Sequence, residues 1–575
     1  MASAPLRRKS KGRKPAAQSR RSVSAGHSFA DNASGPHPQT GFLAQESGWI
    51  VWTAALALAL VTFGVWSPAL HFGFVYDDHL QVVANPWIQS WSYLGQLLRQ
   101  PLWAQLGAEH ASPYYRPFFA FLLLTEYTIL GANPALWHLA SVALHVLVVL
   151  AIFGFLLLHF GRWLPAFCGA CVFACSPVAA EVVNWISAFD DALFALLILL
   201  ALCAVAAGVR SEDVRRRAVL RFVSAGLLVL AVLSKETGVV GIALVAGYEW
   251  LFAPAGRRGR MVRQWPLLIP AAVLLVSHPW PHGSGRSLAQ AASVVPYAAA
   301  LALKKLVWPL PVSEFYGLWF GQPHPAGSLA LHVAALAIMA GVLVWAGMRS
   351  RWIAFAALTI VLPLGVAFVG IRYFRDYDLF HDRDLYLPLA GIAMLIAGGA
   401  ARLAVRPRLM GAVLAGLALL AAGEAWLSRS VSKQFSSDVS LFSHAVEVAP
   451  RNVLALQLLA EAELRMGDCE TAIAHYRQAE VLRPDLWKAV FFPGVADARC
   501  GRNAAAAAAF ARAAEVPGAT TEQAALAWYE LGRARLAQGD AGGARTALEQ
   551  AGERDPESRK IRSLLAQIGA SEQAR

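Results

Sequence analysis

Two adjacent carboxylates, Asp77 and Asp78, stand in Phe74-Val75-Tyr76-Asp77-Asp78-His79-Leu80, where a long apolar run gives way to polar sequence. A carboxylate at such a mouth can take a proton from a hydroxyl, the work of a general base. Further along come Glu181, Asn184, Asp190 and Asp191, then Lys235-Glu236 inside Ser234-Lys235-Glu236-Thr237-Gly238. His278, His282 and Arg286 follow, and then Arg372, Arg375, Asp376, Asp378, His381, Asp382, Arg383 and Tyr386. Taken singly, each reads as a solvated loop charge. Together they suit group transfer from a lipid-borne phosphate: a carboxylate accepts the proton of an attacking hydroxyl, and Arg or Lys receives the departing phosphate.

What positions these residues is a set of apolar helices. Of 575 residues, 57% are hydrophobic and only 15% charged, and the mean hydropathy is +0.47. That composition excludes a soluble enzyme and implies a polytopic membrane protein with room for a second unit. The net charge of +13 does not point to nucleic acid, because the basic residues sit in short segments beside apolar runs. Residues 1–48, with Arg7, Arg8, Lys9 and Lys11 among their basic residues, read as a disordered cytoplasmic tail ahead of an uncleaved first span at 49–70. Aromatic-rich 80–116 reads as helices lying along the outer surface, and 117–130 as re-entrant or interfacial. Further spans are predicted at 135–160, 163–178, 189–209, 219–234, 237–253, 265–280, 328–348, 352–371, 385–401 and 408–427, about eleven in all.

Basic residues check the sidedness. Arg162, the Arg210–Arg217 group, Arg257 to Arg263, Arg349 with Arg351, and Arg402 with Arg406 and Arg408 fall on one side if 287–310, which carries Lys304 and Lys305, does not cross. The helix at 287–310 is therefore expected on the outer surface. Cys168, Cys171 and Cys175 read as small residues for helix packing, and Cys203, Cys469 and Cys500 suggest no disulfide framework.

Near residue 430 the sequence turns Ala-rich and charged, with helical periodicity. A pattern of about 34 residues recurs at 453–486, 487–520 and 525–558, marked by Gly467, Ala472, Tyr476 and Pro484, then Gly501, Ala506 and Phe510, then Trp528, Gly539, Ala544 and Pro556. These are the landmarks of tetratricopeptide repeats, whose small residues let paired helices approach closely. The expected organisation is a tail at 1–48, a membrane domain at 49–428, a repeat domain at 429–560 and a C-terminal tail at 561–575. An odd number of spans puts the repeats on the outer face with Asp77.

The order of the pieces resembles a family. The acidic pair after a first helix, Tyr115-Arg116-Pro117, a helix with His138 and His145, Ser176-Pro177 before Glu181, Ser234-Lys235-Glu236, Asp382-Arg383-Asp384-Leu385-Tyr386-Leu387-Pro388 and terminal repeats are similar to the transmembrane and tetratricopeptide-repeat O-mannosyltransferases and their bacterial relatives. The resemblance implies an all-α, fold-C glycosyltransferase bundle followed by an α-solenoid, using a polyprenyl-phosphate sugar as donor. It implies Asp77 as base with Asp78 beside it, Arg383 for the lipid phosphate, and Lys235, Glu236, Arg116, Asp382 and Tyr386 around the substrate. His138, His145, Glu181 and Asp191 would support them, the two histidines fitting a hydrogen-bonded packing role. The chain departs from the family's pattern at Ser176, where His is common, at Phe189, where Arg is common, and at Asp382, where Glu is preferred.

The resulting expectation is an inverting glycosyltransferase of a bacterial inner membrane, with the N-terminus cytoplasmic and the repeats outside gripping a protein or peptide acceptor. No nucleic acid is expected as a partner. A divalent ion could sit on the paired aspartates, though no other ligand stands at suitable spacing in sequence. The alternative is a non-enzymatic, membrane-anchored repeat scaffold, in which the outer-loop charges would tolerate replacement.

Overall fold

The structure, a computed structural model, describes residues 48–107, 112, 114–254, 265–277, 286–320, 322, 325, 327–374, 376–403 and 407–573. The basic tail, Arg257 to Arg263, His278, His282, Arg375 and Arg406 lie outside them. Every regular element among the described residues is helical.

The apolar runs become helices bounded by the expected stop and start residues. After α1 (Gly48–Trp66) and α2 (Pro117–Leu130), the long α3 (Pro134–Phe160) begins where the Asn133 side chain accepts from Ala135 N–H, with Pro134 in the first turn, and ends at left-handed Gly161. Buried α3 packs against α1, α4 (Trp163–Cys175) and α5 (Phe189–Arg210). An added Cβ at Gly169 in α4 would come within 2.5 Å of the Ala393 carbonyl. Only a residue of that size lets this backbone approach its neighbour so closely. The rest of the bundle is α6 (Val214–Ser234), α7 (Val240–Phe252), α8 (Leu268–Ser277), α9 (Leu288–Val307), α10 (Ser328–Arg349), α11 (Arg351–Gly370), α12 (Tyr386–Leu403) and α13 (Pro407–Ser432).

Among the described residues eight helices are long and apolar enough to cross a membrane, or nine if the pair 163–175 and 177–184, bent by 52°, forms one broken span. Of the eleven expected spans, the two not among these nine, 237–253 and 265–280, are shorter helices in the described residues. The run at 237–253 spends its first residues on a tight turn, leaving α7 with 13 residues, about 20 Å of helix against a core of about 30 Å. Among the described residues the run at 265–280 gives an apolar helix at 265–277. Yet α7 still runs from the Lys235 end of the bundle to the opposite one, where Glu249 pairs with Arg221 and the Tyr248 hydroxyl lies 3.1 Å from His159 Nδ1.

The 52° bend has a local cause. Pro177 has no N–H to give, which frees carbonyls at the end of α4. Trp66 Nε1 donates to the Ala174 carbonyl at 2.9 Å and Ser428 Oγ to that of Cys175 at 2.6 Å. Neighbouring helices thus satisfy the break, and the chain beyond it carries Glu181, Trp185 and Ser187 across the top of the bundle.

The repeat region starts with α14 (Asp438–Val448) and continues as the pairs α15 (Val453–Arg465) and α16 (Cys469–Leu482), α17 (Trp487–Arg499) and α18 (Asn503–Ala514), and α19 (Thr521–Ala537) and α20 (Ala541–Arg554). Gly467, Gly501 and Gly539 sit at positive φ at the turn within each pair, a conformation that favours glycine. Two expectations fail here. Residues 559–573 are not a tail but a further helix, α21 (Arg559–Gln573), whose Ile561 and Ile568 are buried and close the end of the stack. Cys469 and Cys500 form a disulfide joining the first pair to the second.

The root of the solenoid is built onto the membrane half. Asn452 Nδ2 donates to the carbonyls of Tyr316 and Tyr377 at 3.1 and 2.8 Å, and Arg483 Nη1 to the Tyr377 hydroxyl at 2.9 Å. Tyr377 stacks on Trp319, ring centroids 5.4 Å apart.

Candidate functional site

The segment after α1 is held from both halves. Tyr76 adopts a left-handed φ of 52°, uncommon for a residue with a side chain. Its ring stacks on Trp185 at 5.5 Å and meets the edges of Phe315 and Phe442. Its N–H donates to Asp438 Oδ1 at 2.7 Å, while Asp438 Oδ2 lies 2.9 Å from His79 Nε2 and 3.3 Å from Arg465 Nη2. Asp438, on the first helix of the repeat region, therefore fixes the turn on which Asp77 sits.

The two aspartates are not equivalent. Asp77 is half-buried, whereas Asp78 is fully buried, with Oδ1 accepting from Ser187 N–H (2.8 Å) and Oγ (2.7 Å) and Oδ2 from Val75 N–H (3.1 Å). Burial pushes the Asp78 carboxyl up to about 7, against the bonds from Ser187 and Val75. With both oxygens already engaged, Asp78 serves as a brace for the loop, and the pair offers little to a divalent ion.

Beyond Trp185 lies a cluster of buried charge. Arg383 places its guanidinium 4.9 Å from the centre of the Trp185 ring. Its Nη1 bonds Glu181 and lies 3.4 Å from Glu314 Oε1, and its backbone N–H donates to Glu181 Oε2 at 3.0 Å. Neighbouring Asp382 pairs with fully buried Lys305 at 2.9 Å and accepts from the Tyr316 hydroxyl at 2.6 Å. His381 lies 3.1 Å from Asp378 and 3.6 Å from Glu314. Burial and Arg383 oppose its charge, but Asp378 and Glu314 prevail and raise His381 to about 9. Burial, then the nearby Glu181 charge, lift the Glu314 carboxyl well above its ordinary value, against Arg383 and His381.

A second cluster adjoins the first. Arg116 forks onto Glu236, with Nε to Oε1 at 3.1 Å and Nη2 to Oε2 at 2.7 Å, and reaches Asp190 at 2.5 Å. Lys235 Nζ donates to Asp191 at 2.5 Å. Burial alone would lower Arg116, yet Glu236 and Asp190 hold it above its usual value. For Lys235, too, burial is outweighed, here by Asp190 and Asp191.

The structure thus brings Asp77, Asp78, Glu181, Arg383, Asp382, Arg116, Asp191, Lys235 and Glu236 to one end of the bundle. Tyr386 does not join them: it is fully buried with its hydroxyl 2.6 Å from His145 Nδ1, beneath the cluster rather than facing it. His138 Nε2 lies 3.2 Å from the Gly73 carbonyl. Both histidines thus brace packed backbone and side chains. Sequence reasoning passed over Lys305, Glu314, Tyr316, Trp185, Ser187 and Asp438. The placement of α9 at the outer end was the one available signal for Lys305.

Among the described residues Glu181, Glu314 and His381 offer ligand atoms within 4.8 Å of one another, a set able to hold a divalent ion. Arg383 Nη1 already sits on both carboxylates. A metal there would have to displace the guanidinium, so the donor set as it stands fits the arginine better.

Residues 525–568 match the tetratricopeptide repeat family. The mouse protein O-mannosyl-transferase TMTC4 is 23% identical over 492 residues, covering 74% of this chain and 66% of its own length. The chain resembles the protein O-mannosyl-transferases. Human TMTC2 is 28% identical over 203 residues, covering 34% of this chain and 23% of that relative. The aligned region spans less than two thirds of these relatives. Among solved structures, ArnT from Cupriavidus metallidurans bound to undecaprenyl phosphate overlaps 83% of this chain and 82% of its own at 17% identity, with a TM-score of 0.38. The Archaeoglobus fulgidus oligosaccharyltransferase tethered with an acceptor peptide overlaps 75% and 59% at 12% identity, with a TM-score of 0.41.

Proposed function

We propose that this chain is an integral membrane glycosyltransferase that moves a sugar, mannose by its resemblance, from a polyprenyl-phosphate carrier to a protein hydroxyl on the outer face of a bacterial inner membrane. The observation that carries the reading is the chain of contact Asp77 turn, Tyr76, Trp185, Arg383. A base and a cation cluster share one end of the bundle, beside the root of a solenoid suited to holding a peptide.

In this reading Asp77 takes the proton of the acceptor hydroxyl as its oxygen forms a bond to the anomeric carbon. The bond from that carbon to the phosphate oxygen breaks, and the phosphate leaves as an anion without needing an acid. A single displacement of this kind inverts the anomeric centre. Arg383, Arg116 and Lys235 receive the phosphate charge. Each is held by carboxylates in this structure, so the phosphate would share or replace those partners in charge-assisted bonds of the same kind.

Two facts support an outer placement of the repeats. A disulfide in the first repeats suits an oxidising compartment, and the expected odd number of spans after a basic N-terminus ends outside. A plain scaffold would have no use for so many buried ionic groups, which are costly to desolvate. The test is turnover by the purified chain supplied with polyprenyl-phosphate mannose and acceptor peptides. Hexose-modified peptide is expected, and unchanged transfer by Asp77→Asn would remove the assigned base.

A further inference from the structure

Between the first loop after α1 and the start of α2 lies a small cavity open at its mouth. Gln81, Trp87, Gln100, Trp103 and Arg116 line it, and no other charged residue does among those described. Gln81 is 6% exposed, and its Nε2 has no hydrogen-bond partner. An amide N–H left bare in the interior costs about 1–3 kcal/mol, so it marks a place where an acceptor belongs. Asn85, which also lines the cavity, is different: its amide donates to the Gln81 carbonyl and accepts from Trp87 N–H, fixing the turn.

The aromatic walls are positioned as deliberately. Trp103 has a left-handed φ of 68°, and Leu102 beside it exchanges backbone hydrogen bonds with Tyr114 and Ser112, each 2.9 Å. Backbone strain of this kind persists where the surroundings enforce it. Trp87 and Trp103 are both half-buried. Neutral amides beside indole faces suit a polyol: hydroxyls take the amide bonds and the C–H faces lie on the rings. Arg116 joins this cavity to the charge clusters, since the same guanidinium bonds Glu236 and Asp190. Gln81 N–H donates to the Asp77 carbonyl at 2.8 Å, so the cavity also abuts the turn of the base.

We infer that this cavity seats the neutral sugar ring of the donor, with Gln81 Nε2 donating to a ring hydroxyl, an indole of Trp103 or Trp87 stacked on the ring, and the linked phosphate toward Arg116. The inference rests on the glycosyltransferase reading and names where that donor's sugar sits.

The experiment compares binding of two probes, short-chain polyprenyl-phosphate mannose and bare polyprenyl phosphate, to the full chain in lipid nanodiscs. Wild type is expected to prefer the mannosylated lipid. Gln81→Leu and Trp103→Ala should each weaken it about tenfold, the scale of one lost hydrogen bond or stacking contact, while leaving the bare carrier's affinity unchanged. That unchanged affinity also reports that the variants are folded. Should Gln81→Leu lose both lipids through misfolding, the milder Trp103→Phe decides: it is expected to keep the bare carrier and lose part of the preference. A full preference in the folded variants, or equal binding of both lipids by wild type, overturns the cavity assignment and leaves the transferase reading standing. Binding of neither lipid by wild type overturns both.

Discussion

The two halves of this molecule use charge in opposite ways. Around Arg383 and Arg116 the ionic groups are buried, interlocked and shared among several partners. Along the solenoid, Arg502 with Glu470, Arg512 with Glu480 and Arg533 with Glu530 lie largely at the surface. Buried charges must be paired to exist there at all, whereas exposed pairs are screened and contribute little. The same residue types are therefore interlocked in the bundle and lie mostly at the surface of the solenoid.

The sharpest way to break this comparison is Glu181→Gln, which leaves Arg383 short of a partner. Loss of a buried pair member costs about 3–5 kcal/mol, so thermal unfolding of the purified protein should shift strongly downward; a negligible shift would mean the cluster is wetter than it looks. Asp77→Asn should lower transfer by about 10²–10⁴-fold while leaving carrier binding and thermal stability near wild type. Opening the Cys469–Cys500 bridge with Cys500→Ser should cost about 2–4 kcal/mol, read as earlier proteolysis of the repeats without lowered carrier binding.

Asp438→Asn sharpens the comparison, because it sits where the halves meet. His79 is raised by its bond to Asp438, and Asp438, in spite of burial, is lowered by His79 and Tyr76. A raised histidine contributes fully below its ordinary 6.5 and fades as pH climbs through its folded value. A lowered aspartate contributes above its ordinary 3.8 and fades as pH falls through its folded value. The pair should therefore support the Asp77 turn best between those two ordinary values, and Asp438→Asn should flatten the alkaline fall in transfer rate. Smallest of all, Arg512→Ala should change stability by no more than about 0.5 kcal/mol.

Much of this arrangement was legible from sequence because it is written in apolar periodicity and basic flanks. These put Asp77, Lys235 and Arg383 at one end of the bundle before any coordinates. Lys305, Glu314 and Tyr316 were not legible, because their partners His381, Asp382 and Arg383 lie on a distant segment, Asp382 66 residues beyond Tyr316, and no period links them. The helix at 237–253 starts later than expected where Lys235-Glu236 diverts the chain into a turn. The disulfide was missed although a signal existed. In a stacked array, residues about one repeat apart become neighbours: Cys469 and Cys500 are separated by 31 positions, and Glu470 and Arg502 by 32. Reading the cysteines at the repeat spacing would have paired them.

The contact of Asp438 with Tyr76 and His79 has a practical corollary. Cutting the polypeptide where its composition changes, near residue 430, would look harmless on paper yet strip the Asp77 turn of its anchor, along with the grip of Asn452 on Tyr316 and Tyr377. Neither fragment would then be a faithful portion of the whole, and the helical arm is better regarded as part of the wall around the Asp77 turn than as an accessory hung from it.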